Sequence, residues 1–183
     1  MKNGIKMSTL RIALCGIISA LSLALMMCTS LVPIGTYAFP CFAGIFISAI
    51  VIEYGCKWAV GVYFVVAIMS LFFAGDKEAV IYFISIFGYY PILKGVIEGK
   101  IKSKPVQYVL KLALFNLAAT ISFFIGSFLL SIPSEEYTLF GIYMPLAFLL
   151  FGNLFFIIYD YAVTVFIFQY VTRLRNKLFG KKK

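Results

Sequence analysis

One carboxylate stands alone in the last long apolar stretch of the chain. Asp160 lies about twelve residues from the basic residues that close that stretch, near the middle of a segment otherwise fit to cross a bilayer. An ionised carboxylate at that depth costs several kcal/mol unless it is paired, hydrated or protonated, so Asp160 must face other helices. Asn153 stands seven residues before it and Thr164 four after it, which puts all three on one helix face. Asn116 and Thr120 form a second i, i+4 polar pair in the preceding apolar stretch and are the expected partners. Two chemistries fit this pattern. One is a ligand cavity or proton-coupled site that uses Asp160. The other is a buried hydrogen-bond knot that holds the last two helices in register. Lys111, nearer the membrane edge, can snorkel to the interface instead of neutralising Asp160.

Aromatic hydroxyls are the second chemical resource. Tyr82, Tyr89 and Tyr90, with Gly88 and Pro91, combine hydroxyl-bearing rings with a small residue and a kink. Such rings stack on and hydrogen-bond planar ligands, and Tyr82 is the better candidate because it lies toward the opposite end from the basic residues. With 12 Tyr and 20 Phe in the chain, packing and lipid contact account for most of the aromatics. Catalysis is not expected. The absence of histidine removes the commonest general base and most zinc sites, and no GxSxG, Walker A or CxxC pattern occurs. Tyr159-Asp160 resembles half of an intramembrane aspartyl protease signature, but no acidic residue follows to complete the pair. No metal and no cofactor are expected.

These residues must be carried by membrane-spanning helices. Apolar residues make up 63% of the 183 residues, and the mean hydropathy is +1.02. A spanning helix needs about 20 apolar residues, and six stretches qualify, near residues 10–31, 37–53, 58–74, 79–97, 106–130 and 147–172. The fold class is therefore all-α, a single six-helix membrane domain. With both termini cytoplasmic, all 16 Lys and Arg residues except Lys77 fall on one side. Asp76, Glu78, Glu135 and Glu136 fall on the other, so the positive-inside rule favours N-in/C-in topology in a cell membrane. The net charge of +9 reads as topology selection and attraction to anionic lipid, and nucleic acid is not an expected partner. The basic segment from Lys2 to Arg11 precedes too long an apolar run for a cleaved signal.

Pro33, Gly35 and Pro40 are expected to break the chain after the first span, and Gly55 to turn it after the second with Trp58 at the interface. From Tyr137 to Thr172 the chain would be roughly 54 Å long if wholly helical, too much for one crossing. Pro145 and Gly152 offer break points. Cys15, Cys28, Cys41 and Cys56 read as small packing residues, with Cys28 and Cys41 placed where a disulfide is conceivable. Ala13, Gly16, Ala20 and Ala24 recur at gaps of three, four and four, a small-residue stripe that permits close helix approach within the chain or to a second protein. Gly44, Ser48 and Ala49 make a weaker version.

The run Arg11-Ile12-Ala13-Leu14 followed by Ala20-Leu21-Ser22-Leu23-Ala24 resembles the first helix, with its AxxxA element, of the substrate-binding subunits (S components) of bacterial energy-coupling-factor transporters. Glu53 to Gly61, with Gly55 and Trp58, resembles the turn between their second and third helices, and Asn153 to Asp160 the last helix of some members. The resemblance implies a six-helix bundle that captures a vitamin or related micronutrient from outside. It would work with a transmembrane coupling subunit that bears two ATPases. Ala20 and Ala24, with Gly16 and Ala13, would meet that subunit. The pocket would be bounded by residues 33–40, including Tyr37, by Asp76 to Glu78 near Tyr82, and by Ser134 to Tyr137, with Asn116, Thr120, Asn153 and Asp160 deeper. The chain lacks a charged and aromatic pattern that would assign thiamine, riboflavin, biotin or folate, and its one Trp lies at the wrong end. Two other classes stay open: a non-transport scaffold or assembly protein, and a stand-alone proton-coupled carrier that uses Asp160.

Overall fold

A computed structural model describes residues 2–32, 35–130, 138–139 and 142–175. Pro33, residues 131–137 with Glu135 and Glu136, and the tail with Lys177 and residues 181–183 lie outside the described residues.

The described residues form seven helices in order: α1 (Lys2–Cys28, continued by a 3-10 turn at Thr29–Leu31), α2 (Gly35–Tyr54), α3 (Cys56–Phe73), α4 (Lys77–Tyr82), α5 (Tyr90–Lys100), α6 (Lys104–Leu130) and α7 (Met144–Gln169). A π-helical segment, Phe83–Phe87, joins α4 to α5, and another, Tyr170–Leu174, ends α7. The described residues contain six helical stretches long and apolar enough to cross a membrane. Thr138–Leu139 and Ile142–Tyr143 form a two-residue antiparallel pairing ahead of α7.

Turns follow local chemistry. Gly55 alone connects α2 to α3 at φ +83°, a left-handed conformation that glycine adopts without a Cβ penalty. Between α3 and α4, the Asp76 carboxylate caps α4 by accepting from the Glu78 and Ala79 amides at 3.0 and 3.1 Å. Lys77 donates to the carbonyls of Leu71 and Ala74 at 2.8 and 3.0 Å, placing its charge on the negative end of α3.

Two expected break points are not breaks. Pro40 lies inside α2, which already begins at Gly35. Its missing N–H costs a single bond near the helix start. Gly152 lies within an uninterrupted α7, and Pro145 sits in that helix's first turn, where no intrahelical donor is needed. The long final stretch is interrupted before Met144.

α2 occupies the centre, packing against α1, α3, the α4–α5 span and α7. One core cluster joins α1 to α4 around Met26, Ile47, Val66 and Phe83; the other surrounds Phe156 and Val163, with Phe115 stacked on Phe156 at 4.5 Å. Large apolar side chains such as Phe72, Phe128 and Phe155 face outward, as lipid contact allows.

The α4–α5 span shows why α2 is lined with small residues. Pro91 has no N–H to offer the Phe87 carbonyl one turn back, and the Tyr159 hydroxyl of α7 donates to that carbonyl at 3.0 Å. In the π segment Gly88 N bonds Phe83 O at 2.7 Å, and the Ile84 carbonyl is met by Tyr63 of α3 at 2.8 Å. Gly44 lies directly against this distortion. A Cβ there would fall 2.3 Å from the Phe87 oxygen and 2.6 Å from the Tyr159 hydroxyl. Gly44→Ala should therefore cost about 1–3 kcal/mol and lower the unfolding temperature in detergent. Gly61→Ala, with open space at its Cβ position, should leave that temperature unchanged or raise it.

Candidate functional site

The predicted polar residues fall into three separate groups. The first lies at the α3–α4 turn and the start of α2. Tyr37 and Tyr82 have ring centroids 5.2 Å apart, and their hydroxyls donate to the same Glu78 oxygen at 3.3 and 2.9 Å. Thr36 donates to Asp76 at 2.7 Å. Asp76 thus has both oxygens engaged, one as the α4 cap and one tying α2 to α4. Its position is that of a structural tie, and the carboxylate left beside the tyrosines belongs to Glu78, at the far end of the expected boundary from Asp76 to Glu78.

The second group is Asn116 and Asn153. Their amides exchange hydrogen bonds at 2.8 and 2.9 Å across α6 and α7, and each also donates to the carbonyl four residues back in its own helix. The pairing expected between these helices is present and closed on itself. Thr120 does not join it. Its side chain is exposed and donates to its own helix at the Asn116 carbonyl, 2.8 Å away, a usual outlet for a helical threonine.

The third group surrounds Asp160 and is larger than expected. Asp160 is 6% exposed and accepts from Lys94, from Lys111 at 3.1 Å and from the Tyr90 hydroxyl. Lys94 also donates to Thr164 at 2.8 Å and to the Asp160 carbonyl at 3.1 Å. Glu98 completes the set, 2.6 Å from Lys111 and 3.4 Å from Lys94. Two ammonium groups face two carboxylates, so the cluster is neutral as a whole.

Lys94 and Lys111, counted from the sequence among the lysines that mark the basic side, are 1% and 3% exposed. Lys111 neutralises Asp160 and does not snorkel. Tyr90, Lys94 and Glu98 recur every fourth residue along α5. That spacing was a readable polar face, hidden because a lysine near a span end also fits a topology marker. The cluster binds α5, α6 and α7 together by charge. Three of its donors meet one Asp160 oxygen, and Lys111 reaches the other at 3.4 Å.

The small-residue stripe resolves in one direction. Ala13, Gly16, Ala20 and Ala24 all face away from the bundle, and nothing lies within 4 Å of a Cβ built at Gly16. Internal packing instead uses the opposite side of α1, where Ser22 donates to the Ala43 carbonyl at 3.1 Å, and the small face of α2 with Gly44, Ser48 and Ala49 buried. All four cysteines are free thiols, so Cys28 and Cys41 are not bridged. Among the described residues no group of three or more potential metal ligands converges. No family model, no curated protein and no solved structure matches this chain.

Breaking the charge cluster on one side should be costly. Asp160→Asn leaves two buried ammonium groups sharing Glu98, and a loss of about 3–5 kcal/mol is expected. Lys94→Met combined with Asp160→Asn restores a neutral set with Lys111 and Glu98. It should recover much of that loss in thermal unfolding, whereas a double variant no more stable than Asp160→Asn alone would contradict the pairing.

Proposed function

We propose that this chain is a membrane substrate-capture subunit that takes up a small molecule, a vitamin or related micronutrient, and works with a separate ATP-driven coupling module. The observation that carries this reading is the convergence of Tyr37 and Tyr82 on Glu78. The Asn pair and the Asp160 cluster are closed on themselves, but Tyr37 is exposed and Glu78 half-buried, so a ligand can reach both. Two phenol rings beside a carboxylate suit a ligand that offers a ring and a cationic or donor-rich group. The charge asymmetry favours this end as the outer one, with both termini inside. The outward stripe of α1 is the surface that the resemblance to transporter S components would give to the coupling subunit. Asp160, paired with two lysines, is better suited to holding helices than to a stand-alone proton-coupled carrier.

Small molecules released from gently purified protein, identified by mass spectrometry, test this reading. The wild-type chain should retain a ring-containing species. Glu78→Gln or Tyr82→Phe should lower its occupancy by about tenfold or more, in line with hydrogen bonds to a charged group. Ala20→Leu with Ala24→Leu should leave ligand retention intact and abolish co-purification with ATPase-bearing partners. Wild-type protein that releases nothing, with co-purification unaffected by the leucines, would point to a non-transport assembly role.

A further inference from the structure

A groove of about 410 Å3 runs along the flank of the bundle between α3 and α5. Val60 and Phe64 of α3, Tyr89 just ahead of α5, and Leu93 and Val96 of α5 line it, and its wall is almost wholly apolar. The two helices run in opposite directions, and their groove-lining faces both end on a lysine at the same end of the bundle. On α3, Lys57, Val60 and Phe64 follow one another at gaps of three and four; Tyr89, the cap of α5, and Leu93, Val96 and Lys100 within it follow at gaps of four, three and four. These spacings keep each set on one helix face. Lys57 and Lys100 are both exposed. Among the described residues neither has an ion pair, because the acids at this end are committed elsewhere: Glu53 to Arg175 at 3.0 Å, and Glu98 to Lys94 and Lys111.

An apolar channel whose lining faces lead, within about a helical turn, to two exposed lysines with no ion pair among the described residues matches one kind of molecule in a bilayer. We propose that this groove is a binding site for an anionic phospholipid, with one acyl chain lying between α3 and α5 and the phosphate bridging Lys57 and Lys100. Zwitterionic lipids can fill the channel but bring their own cation to the lysines, so the site discriminates by headgroup charge. These residues are remote from Glu78, and the groove does not depend on what the opposite end captures.

Native mass spectrometry of the full chain with phosphatidylglycerol or phosphatidylcholine of identical acyl composition provides the test. Phosphatidylglycerol should be retained over phosphatidylcholine by a factor on the order of ten, given two lysines near the phosphate. Lys57→Gln with Lys100→Gln should abolish that preference while neutral lipid still binds, and Lys102→Gln with Lys104→Gln should leave it unchanged. Val96→Trp, which fills the groove from an exposed position, should displace both lipids; monodisperse elution identifies variants that fold. Equal retention of the two lipids by the wild type would overturn the proposal. So would a preference that survives loss of Lys57 and Lys100, an equal loss on removing Lys102 and Lys104, or unchanged lipid binding by folded Val96→Trp. Displacement of the lipid by soluble glycerol phosphate would show a headgroup site with no part for the groove, and would equally refute it.

Discussion

Hydrocarbon offers no water to a stranded charge or carbonyl, and the inner architecture of this protein answers that constraint at two places. Asp160 brings three helices together because its counter-charges must come from the protein. Lys94 reaches it from α5 and Lys111 from α6, and Tyr90 adds a hydroxyl. The carbonyls freed along the α4–α5 span are met in the same way, by Tyr63 of α3 and Tyr159 of α7. α2, lying between these groups, is small-faced where the chain must pass close to them. The strongest specific contacts are thus polar, and the apolar side chains are free to face lipid or fill space.

Much of this was legible from residue types and spacing. The six apolar stretches coincide with the six candidate spans of the described residues to within about five residues at each end, because length and hydropathy constrain a spanning helix strongly. An isolated Asp160 and the paired asparagines demanded interior partners, and the structure supplies them. What escaped was mostly a matter of direction. A run of small residues shows that close approach is possible but not which side is approached, and the α1 stripe faces outward. A lysine near a span end satisfies a topology rule equally well whether it points to water or inward, so Lys94 was not seen as a partner. From sequence Pro40 fits a boundary equally well, because nothing there shows how far before it a helix begins.

The two ends of the bundle differ in what their charges are free to do. At one, both described acids are spent on internal ion pairs, which leaves Lys57 and Lys100 without an ion pair among the described residues. At the other, the lone lysine is spent on the end of α3, and Asp76 on the start of α4. Glu78 with its two tyrosines remains open to a visitor. At the first end ion pairs consume the acids, and at the other helix-end contacts consume Lys77 and Asp76.

The π-helical segment at Phe83–Phe87 has a geometric consequence for the whole fourth span. A residue accommodated in a widened turn advances the sequence without advancing the helix, so everything beyond it is rotated by about 100° relative to an unbroken α-helix. Glu78 and Tyr82 lie before this phase shift, and Tyr90, Lys94 and Glu98 after it. α2 packs along both parts of this span, but the polar side chains on either side of the widened turn meet different partners. Tyr82 and Glu78 join Tyr37 of α2, whereas Glu98 joins Lys111 of α6, and Tyr90 and Lys94 join Asp160 of α7. The angular offset between the two surfaces is set by the widened turn and by no residue in either surface.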